Sequence, residues 1–273
     1  MPEGDTIHRT ATRLGSALTG RPLATFDLRH PSPGSALEGP TAGETITEVR
    51  AEGKYLVIAF AGGAVLETHM KMTGAWHLYR PGERWRRSRS KMRVLVATDD
   101  WVAVCFAAPH VRLYNGEGPG GRRRAATGDR AHLGPDLCTP DPDLDEIRRR
   151  LAAPGEGPRP LLDVLLDQRL FCGVGNVYKC EVLWACGHHP LTPLATVDPA
   201  GVDDLIATSH RLLRANLDSA QRTTVPEGLA VYGRAEEPCL RCDAPIAYAL
   251  LGRANRPTYW CPGCQPEPAP ADV

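Results

Sequence analysis

The chain has 273 residues, 42% of them hydrophobic and 23% charged, and its 32 basic side chains balance 32 acidic ones. Such a length and apolar content suit a soluble globular protein with a sizeable core in two or more domains, and the zero formal charge argues against a uniformly basic nucleic-acid coat. The start, MPEGD, lacks the basic and apolar run of a secretory signal, and no apolar stretch reaches bilayer length, so neither export nor membrane insertion is expected and the cytoplasm is the expected location.

Nine cysteines are present, and Cys105, Cys138, Cys172, Cys180 and Cys186 are scattered without framework spacing, which argues for reduced thiols rather than a disulfide scaffold. Charge is unevenly spread. Residues 84–93 read RWRRSRSKMR, residues 122–124 are three arginines, and 141–146 is acidic, a pattern open to either a basic surface or ordinary solvated loops.

In chain order, Ile7, Ala11, Leu14 and Leu18 recur at helical spacing and Gly20 stands where a helix would stop, predicting one amphipathic helix over residues 5–18. Short Val-, Leu- and aromatic-rich segments at 54–60, 64–70, 92–98 and 101–106 predict strands of a sandwich-like domain. Between 134 and 160 the composition turns to Pro, Gly and charge around a short helix at 147–151, which marks a domain boundary. Helical patterns follow at 161–170, at 177–186 ending at Gly187, and in a longer segment whose Leu205, Ile206, Leu212, Leu213 and Leu217 share one face. Residues after Gln265 (PEPAPADV) read as a disordered tail.

The cysteine pairs CLRC (Cys239, Cys242) and CPGC (Cys261, Cys264) have the spacing of a four-thiolate zinc site. With all four tetrahedral positions filled by protein, such a zinc ion is structural and has no open position for a substrate water. In the stretch DQRLFCGVGNVYKCEVLW, one helix runs into Gly173-Val174-Gly175 and Asn176 stands where the next would be capped; the exposed amides suit a phosphate, although a plain helical corner reads the same way.

Pro2 poses a separate chemical question. Once the initiator methionine is removed, it presents a secondary amine at the head of a helix, able to attack an electrophilic sugar carbon and form an iminium that stays cationic. Glu3 beside it could relay protons, and Lys54 and an arginine of the zinc hairpin could assist elimination. Alone, MPEG is also an ordinary terminus.

Taken together, PEGD, GKYL at Lys54, HMKMTGAW from His69, LGPD from Leu133, DQRLFCGVGNVYKCEVLW from Asp167 and RPTYWCPGCQ near the end resemble, in this order, the bacterial family of formamidopyrimidine-DNA glycosylase and endonuclease VIII. That resemblance covers nearly the whole chain. It implies an α+β multidomain fold: a β-sandwich catalytic domain with its N-terminal helix (residues 1–133), a helix-two-turn-helix DNA-binding domain (134–235), a zinc finger (236–266) and a tail (267–273), with DNA in a cleft between the halves. The implied activity is base-excision repair by a DNA glycosylase with AP lyase activity, acting as a monomer on damaged double-stranded DNA.

Carried onto this sequence, the resemblance assigns Pro2 as Schiff-base nucleophile, Glu3 as proton donor in base release, Lys54 as proton donor in elimination, and Arg256 as the finger arginine of the second elimination. Asn176 matches a backbone-binding asparagine, Met72 a wedge that fills the place of an extruded base, Lys71 its DNA-contacting neighbour, and His132 the place of a phosphate-binding arginine. For Met72 an ordinary sheet-core position is the alternative. The wording PEG, GAW and EVLW looks closer to endonuclease VIII and hence to oxidised pyrimidines; an oxidised-purine glycosylase and a catalytically silent zinc-containing DNA binder are the alternatives.

Overall fold

The computed structural model describes residues 2–36, 38–115, 130–153 and 159–268. Two compact units make up the chain: residues 6–132 with Pro2, and residues 133–268 with Glu3–Asp5.

The first unit holds most of α1 (Gly4–Leu18) and eight strands. Strands β1 (Thr25–Leu28), β5 (Ala75–Tyr79), β6 (Met92–Ala97) and β7 (Val102–Phe106) form one antiparallel sheet in the order β1-β6-β7-β5. Strands β2 (Ile46–Glu52), β3 (Tyr55–Phe60), β4 (Ala64–His69) and β8 (His110–Asn115) form the other, in the order β2-β3-β4-β8. Ile7, Leu14 and Leu18 from the helix join Leu56, Ile58, Leu66, Val94, Val96 and Cys105 in one buried cluster. Each such side chain contributes roughly 1.5–3 kcal/mol on leaving water, which is why the helix repeat read from the sequence had to face the sheets.

Polar side chains also cross this unit's interior. Buried Arg130 donates to the Glu67 carboxylate (2.6 Å) and the Tyr114 hydroxyl (2.6 Å), and pairs with Glu52. Glu67 in turn meets His110 Nε2 at 3.0 Å. Burial of these charges is tolerated because each is paired, and the network fixes the end of β2 that leads into the turn bearing Lys54. That lysine sits in the turn, at a Gly53 φ of 57°, one residue before the strand expected to contain it.

In the second unit, α2 (Leu144–Ala152) is capped by the Asp143 carboxylate, and α3 (Leu161–Leu166), α4 (Asn176–Cys186) and α5 (Pro199–Arg214) pack through Leu161, Leu165, Tyr178, Val182, Leu205 and Leu212. The expected helix to residue 170 ends at Leu166 because the Asp167 carboxylate takes the Arg169 amide (3.0 Å) and guanidinium instead. Leu217 lies past the end of α5 but still packs on the same cluster. Strands β9 (Ala247–Leu251) and β10 (Arg256–Trp260) form the terminal hairpin. Among the described residues no helix is long and apolar enough to cross a membrane. The arginines at 122–124 and the tail at 269–273 fall outside the described residues.

Candidate active site and nucleic-acid interface

Helix α4 begins at an unusual cap. Gly175 is its N-cap and supplies no side chain, so the first amides of the helix need an acceptor from elsewhere. Glu3 provides it: its carboxylate accepts the N–H groups of Gly175 (2.9 Å), Val177 (2.8 Å) and Tyr178 (3.3 Å), and the side chain is wholly buried. An anion at a helix N-terminus is favoured by both the free donors and the helix dipole. The seat that the sequence offers to a phosphate is therefore filled by the protein's own carboxylate. The Gly4 amide adds a bond to the Gly173 carbonyl at 2.9 Å, so the residues just after Pro2 are pinned to the Gly173–Gly175 turn.

A second carboxylate reinforces this corner. Asp5, also buried, accepts two bonds from Arg222 (2.8 and 2.6 Å) and one from the Tyr178 hydroxyl (3.0 Å), while Arg222 lies over the Tyr178 ring and within 4.0 Å of Glu3. The bidentate fork gives Arg222 a fixed direction. Burial and the adjacent Asp5 charge push the Tyr178 phenol up, so its hydroxyl stays a donor. Glu3 and Asp5 belong to the second unit for this reason, although in sequence they open the β-rich part.

Asn176 does not cap the helix. It occupies the first helical position, buried, and donates from Nδ2 to the Pro257 carbonyl (2.7 Å) while its Oδ1 accepts from Lys179 Nζ (3.0 Å). Lys179 is wholly buried and also donates to the Pro257 carbonyl (3.2 Å) and Thr258 Oγ1 (2.7 Å). Three acceptors satisfy its three donors, and burial lowers its pKa. Together these two side chains fasten the head of α4 to β10, immediately after the exposed Arg256 that opens that strand. Glu181, two residues further on, accepts the amides of Ala230, Val231 and Tyr232 and the hydroxyl of Thr224.

Four thiols lie at the base of the β9–β10 hairpin. The Sγ atoms of Cys239, Cys242, Cys261 and Cys264 all lie within 4.8 Å of one another, with separations of 3.8 Å for Cys239–Cys264, 3.4 Å for Cys242–Cys261 and 3.5 Å for Cys242–Cys264. Thiolates about 2.3 Å from a tetrahedral zinc stand roughly 3.8 Å apart, so the donor set fits such an ion. Burial opposes ionisation of Cys239, but the Arg241 amide and the Trp184 indole N–H, both 3.4 Å from its sulfur, draw its pKa down to about 6. Arg241 also stacks on Trp184 at 3.7 Å and donates to its carbonyl, tying the metal-binding turn to α4.

In the first unit, Lys71 and Met72 lie in the turn after β4, where Lys71 has a φ of 47°. Met72 is 60% exposed, so it is not a core methionine; Met70 fills that role at 2%. His69, beside them, has its pKa lowered to about 3 by burial and by the charges of Lys71 and Lys54, and its Nδ1 accepts the Lys71 amide at 3.1 Å. Pro2 is half-buried and His132 exposed. Lys179, Glu181 and Arg222 escape sequence reasoning; a lysine within an otherwise apolar helix is the signal that points to a missing partner.

Residues 1–111 match the formamidopyrimidine-DNA glycosylase N-terminal domain, and residues 133–226 match the H2TH domain of the same glycosylase. The chain belongs to the formamidopyrimidine-DNA glycosylase and endonuclease VIII family. It is 39% identical to probable endonuclease 8 2 of Streptomyces coelicolor, over 99% of this chain and 96% of that one. It is 35% identical to the DNA-(apurinic or apyrimidinic site) lyase Nei2 of Mycolicibacterium smegmatis, over 97% and 99%. Endonuclease 8 of Escherichia coli is 31% identical, over 97% and 100%. In fold, the chain is similar to Lactococcus lactis formamidopyrimidine-DNA glycosylase bound to DNA containing an AP site, with a TM-score of 0.78 at 21% identity over 97% of this chain and all of that one. The α+β architecture is that of this family, with the four-cysteine cluster closing the terminal hairpin.

Proposed function

We propose that the protein excises oxidised pyrimidines from damaged double-stranded DNA and then cuts the strand by β,δ-elimination through a Schiff base on Pro2. The observation that carries this reading is the docking of Glu3 on the α4 amides, because it fixes the residue bonded to Pro2 at the head of a buried helix. Likeness to proteins named endonuclease 8, and to one named an AP-site lyase, supports the branch and the lyase step.

In this mechanism the free Pro2 nitrogen attacks C1′, the glycosidic bond breaks, and the departing base takes a proton relayed by the Glu3 carboxylate. The attacking nitrogen sheds its proton and the sugar C1′–O4′ bond opens as O4′ takes up a proton; the resulting iminium acidifies C2′–H, so loss of that proton expels the 3′ phosphate, and a second elimination expels the 5′ phosphate. Lys54, in its anchored turn, moves protons for elimination, and Arg256, held on β10 by the Asn176–Lys179 clamp, binds the phosphate of the second elimination. Asn176 has a positioning role here, in place of a direct backbone contact. Base extrusion costs a few kcal/mol and is least where damage has weakened pairing; exposed Met72 fills the vacated space, with Lys71 and His132 on neighbouring phosphates. One zinc ion on Cys239, Cys242, Cys261 and Cys264 braces the hairpin and leaves proton transfer to the side chains. The protein acts as a monomer.

A panel of duplexes carrying single oxidised pyrimidines or oxidised guanine, with cleavage products resolved by end group, tests the assignment. Faster excision of pyrimidine lesions, with phosphate on both ends of the gap, is expected; excision confined to oxidised guanine contradicts the substrate assignment.

A further inference from the structure

Between residues 80 and 93 the first unit carries seven basic residues and a single acidic one, Glu83, whose carboxylate accepts the Arg80 amide at 2.9 Å. Two of the seven are engaged at the ends of the segment: Arg80 stacks on Trp101 at 3.6 Å, and Arg93 donates to the Arg29 carbonyl at 3.3 Å. Between them, Arg84, Arg86, Arg87 and Arg89 are exposed. Among the described residues, the guanidinium groups of Arg84 and Arg86 have neither a hydrogen bond nor an ion pair.

These charges are nevertheless held in place. Trp85 stacks on Tyr79 (centroids 6.4 Å apart) and meets Phe106 edge-on (5.6 Å), the Arg86 amide donates to the Tyr79 hydroxyl (3.0 Å), and Ser88 caps the short turn at Arg89–Lys91. Arg89 lies over the Trp85 ring at 4.7 Å. The result is a cavity of about 470 Å³ lined only by residues 82–89. Holding four like charges on one braced loop costs repulsion that an arriving polyanion relieves, and guanidinium forks match phosphodiester oxygens. Arg87 also donates to the Thr73 carbonyl at 3.2 Å, which places the loop against the turn that bears exposed Met72.

We propose that Arg84, Arg86, Arg87 and Arg89 form a phosphate-binding surface that takes the backbone of duplex DNA beside the Met72 turn. This rests on the DNA reading above and extends it to a contact that no step of the chemistry needs. The test uses the full chain and a fluorescein-labelled duplex with a non-cleavable abasic analogue, titrated by anisotropy at 50–200 mM salt. Each phosphate contact contributes about 0.9 to the slope of log affinity against log salt, or roughly 3.5-fold across this range. Replacing all four arginines by serine is expected to flatten the slope by about 2–4, and replacing them by lysine to restore most of it. A wild-type slope in the serine variant, with its thermal melt unchanged, overturns the proposal and points to another partner, such as an acidic protein. If the wild-type protein neither binds the duplex nor is trapped on an abasic site by borohydride, the DNA reading itself fails.

Discussion

Gly175→Ala tests the linkage between the helix head and the catalytic terminus. A methyl group at Gly175 would stand 2.4 Å from Glu3 Cδ, 2.5 Å from Cγ and 2.7 Å from Oε2. The carboxylate would have to retreat by about 1 Å to reach ordinary carbon–carbon contact. Such a retreat breaks or stretches three amide N–H hydrogen bonds to a charged acceptor, each worth about 1.5–3 kcal/mol, and it drags the peptide that carries Pro2. A misplacement of about 1 Å in a reacting group costs on the order of 10²-fold in rate. Single-turnover base release and strand cleavage, measured on a lesion duplex with enzyme in excess, should therefore both fall by about two orders of magnitude. Borohydride trapping should fall in parallel. Wild-type rates for this variant would refute the claim that Glu3 positions the nucleophile.

The opposite outcome is expected for Gly15→Ala in helix α1. Its nearest neighbour there is the Val49 carbonyl at 3.6 Å, so the added methyl fits and should stabilise the protein by about 0.5–1 kcal/mol in urea unfolding. His69 predicts an acid limb of stability. Its folded pKa of about 3 lies below the ordinary 6.5, so its contribution is complete above pH 6.5 and is lost as pH falls toward 3, at up to about 1.4 kcal/mol per pH unit; His69→Gln should flatten that slope in pH-dependent melts. Metal removal should be visible at Trp184, whose indole donates to Cys239 Sγ. A chelator that strips the four thiolates is expected to change tryptophan fluorescence and lower the melting temperature, and stoichiometric zinc to reverse both; no change on chelation would contradict a structural ion.

Local pattern made much of this legible in the sequence. The spacing of Ile7, Leu14 and Leu18 marks α1, the Val-rich runs mark β3, β4, β6 and β7 to within about a residue, and the paired cysteines mark the metal cluster, because each signal lies within a few neighbouring residues. The joining of Glu3 to Gly175, Val177 and Tyr178 spans more than 170 residues and follows no periodicity. It arises only when a glycine cap leaves amides open in the folded chain. Lys179 is similar: in sequence it is one polar residue in an apolar helix, and only the carbonyl of Pro257 and hydroxyl of Thr258 explain its burial. Asn176 reads as a cap because capping is its commonest use near a helix start, yet tertiary acceptors on β10 claim its amide.

Mass spectrometry of the borohydride-reduced complex with abasic-site DNA bears most directly on the whole account. The deoxyribose remnant should be found on the peptide that begins at Pro2, and a chain that retains Met1 should not be trapped. A cross-link on Lys54 or another lysine, or undiminished trapping of the Met1-bearing chain, would contradict it.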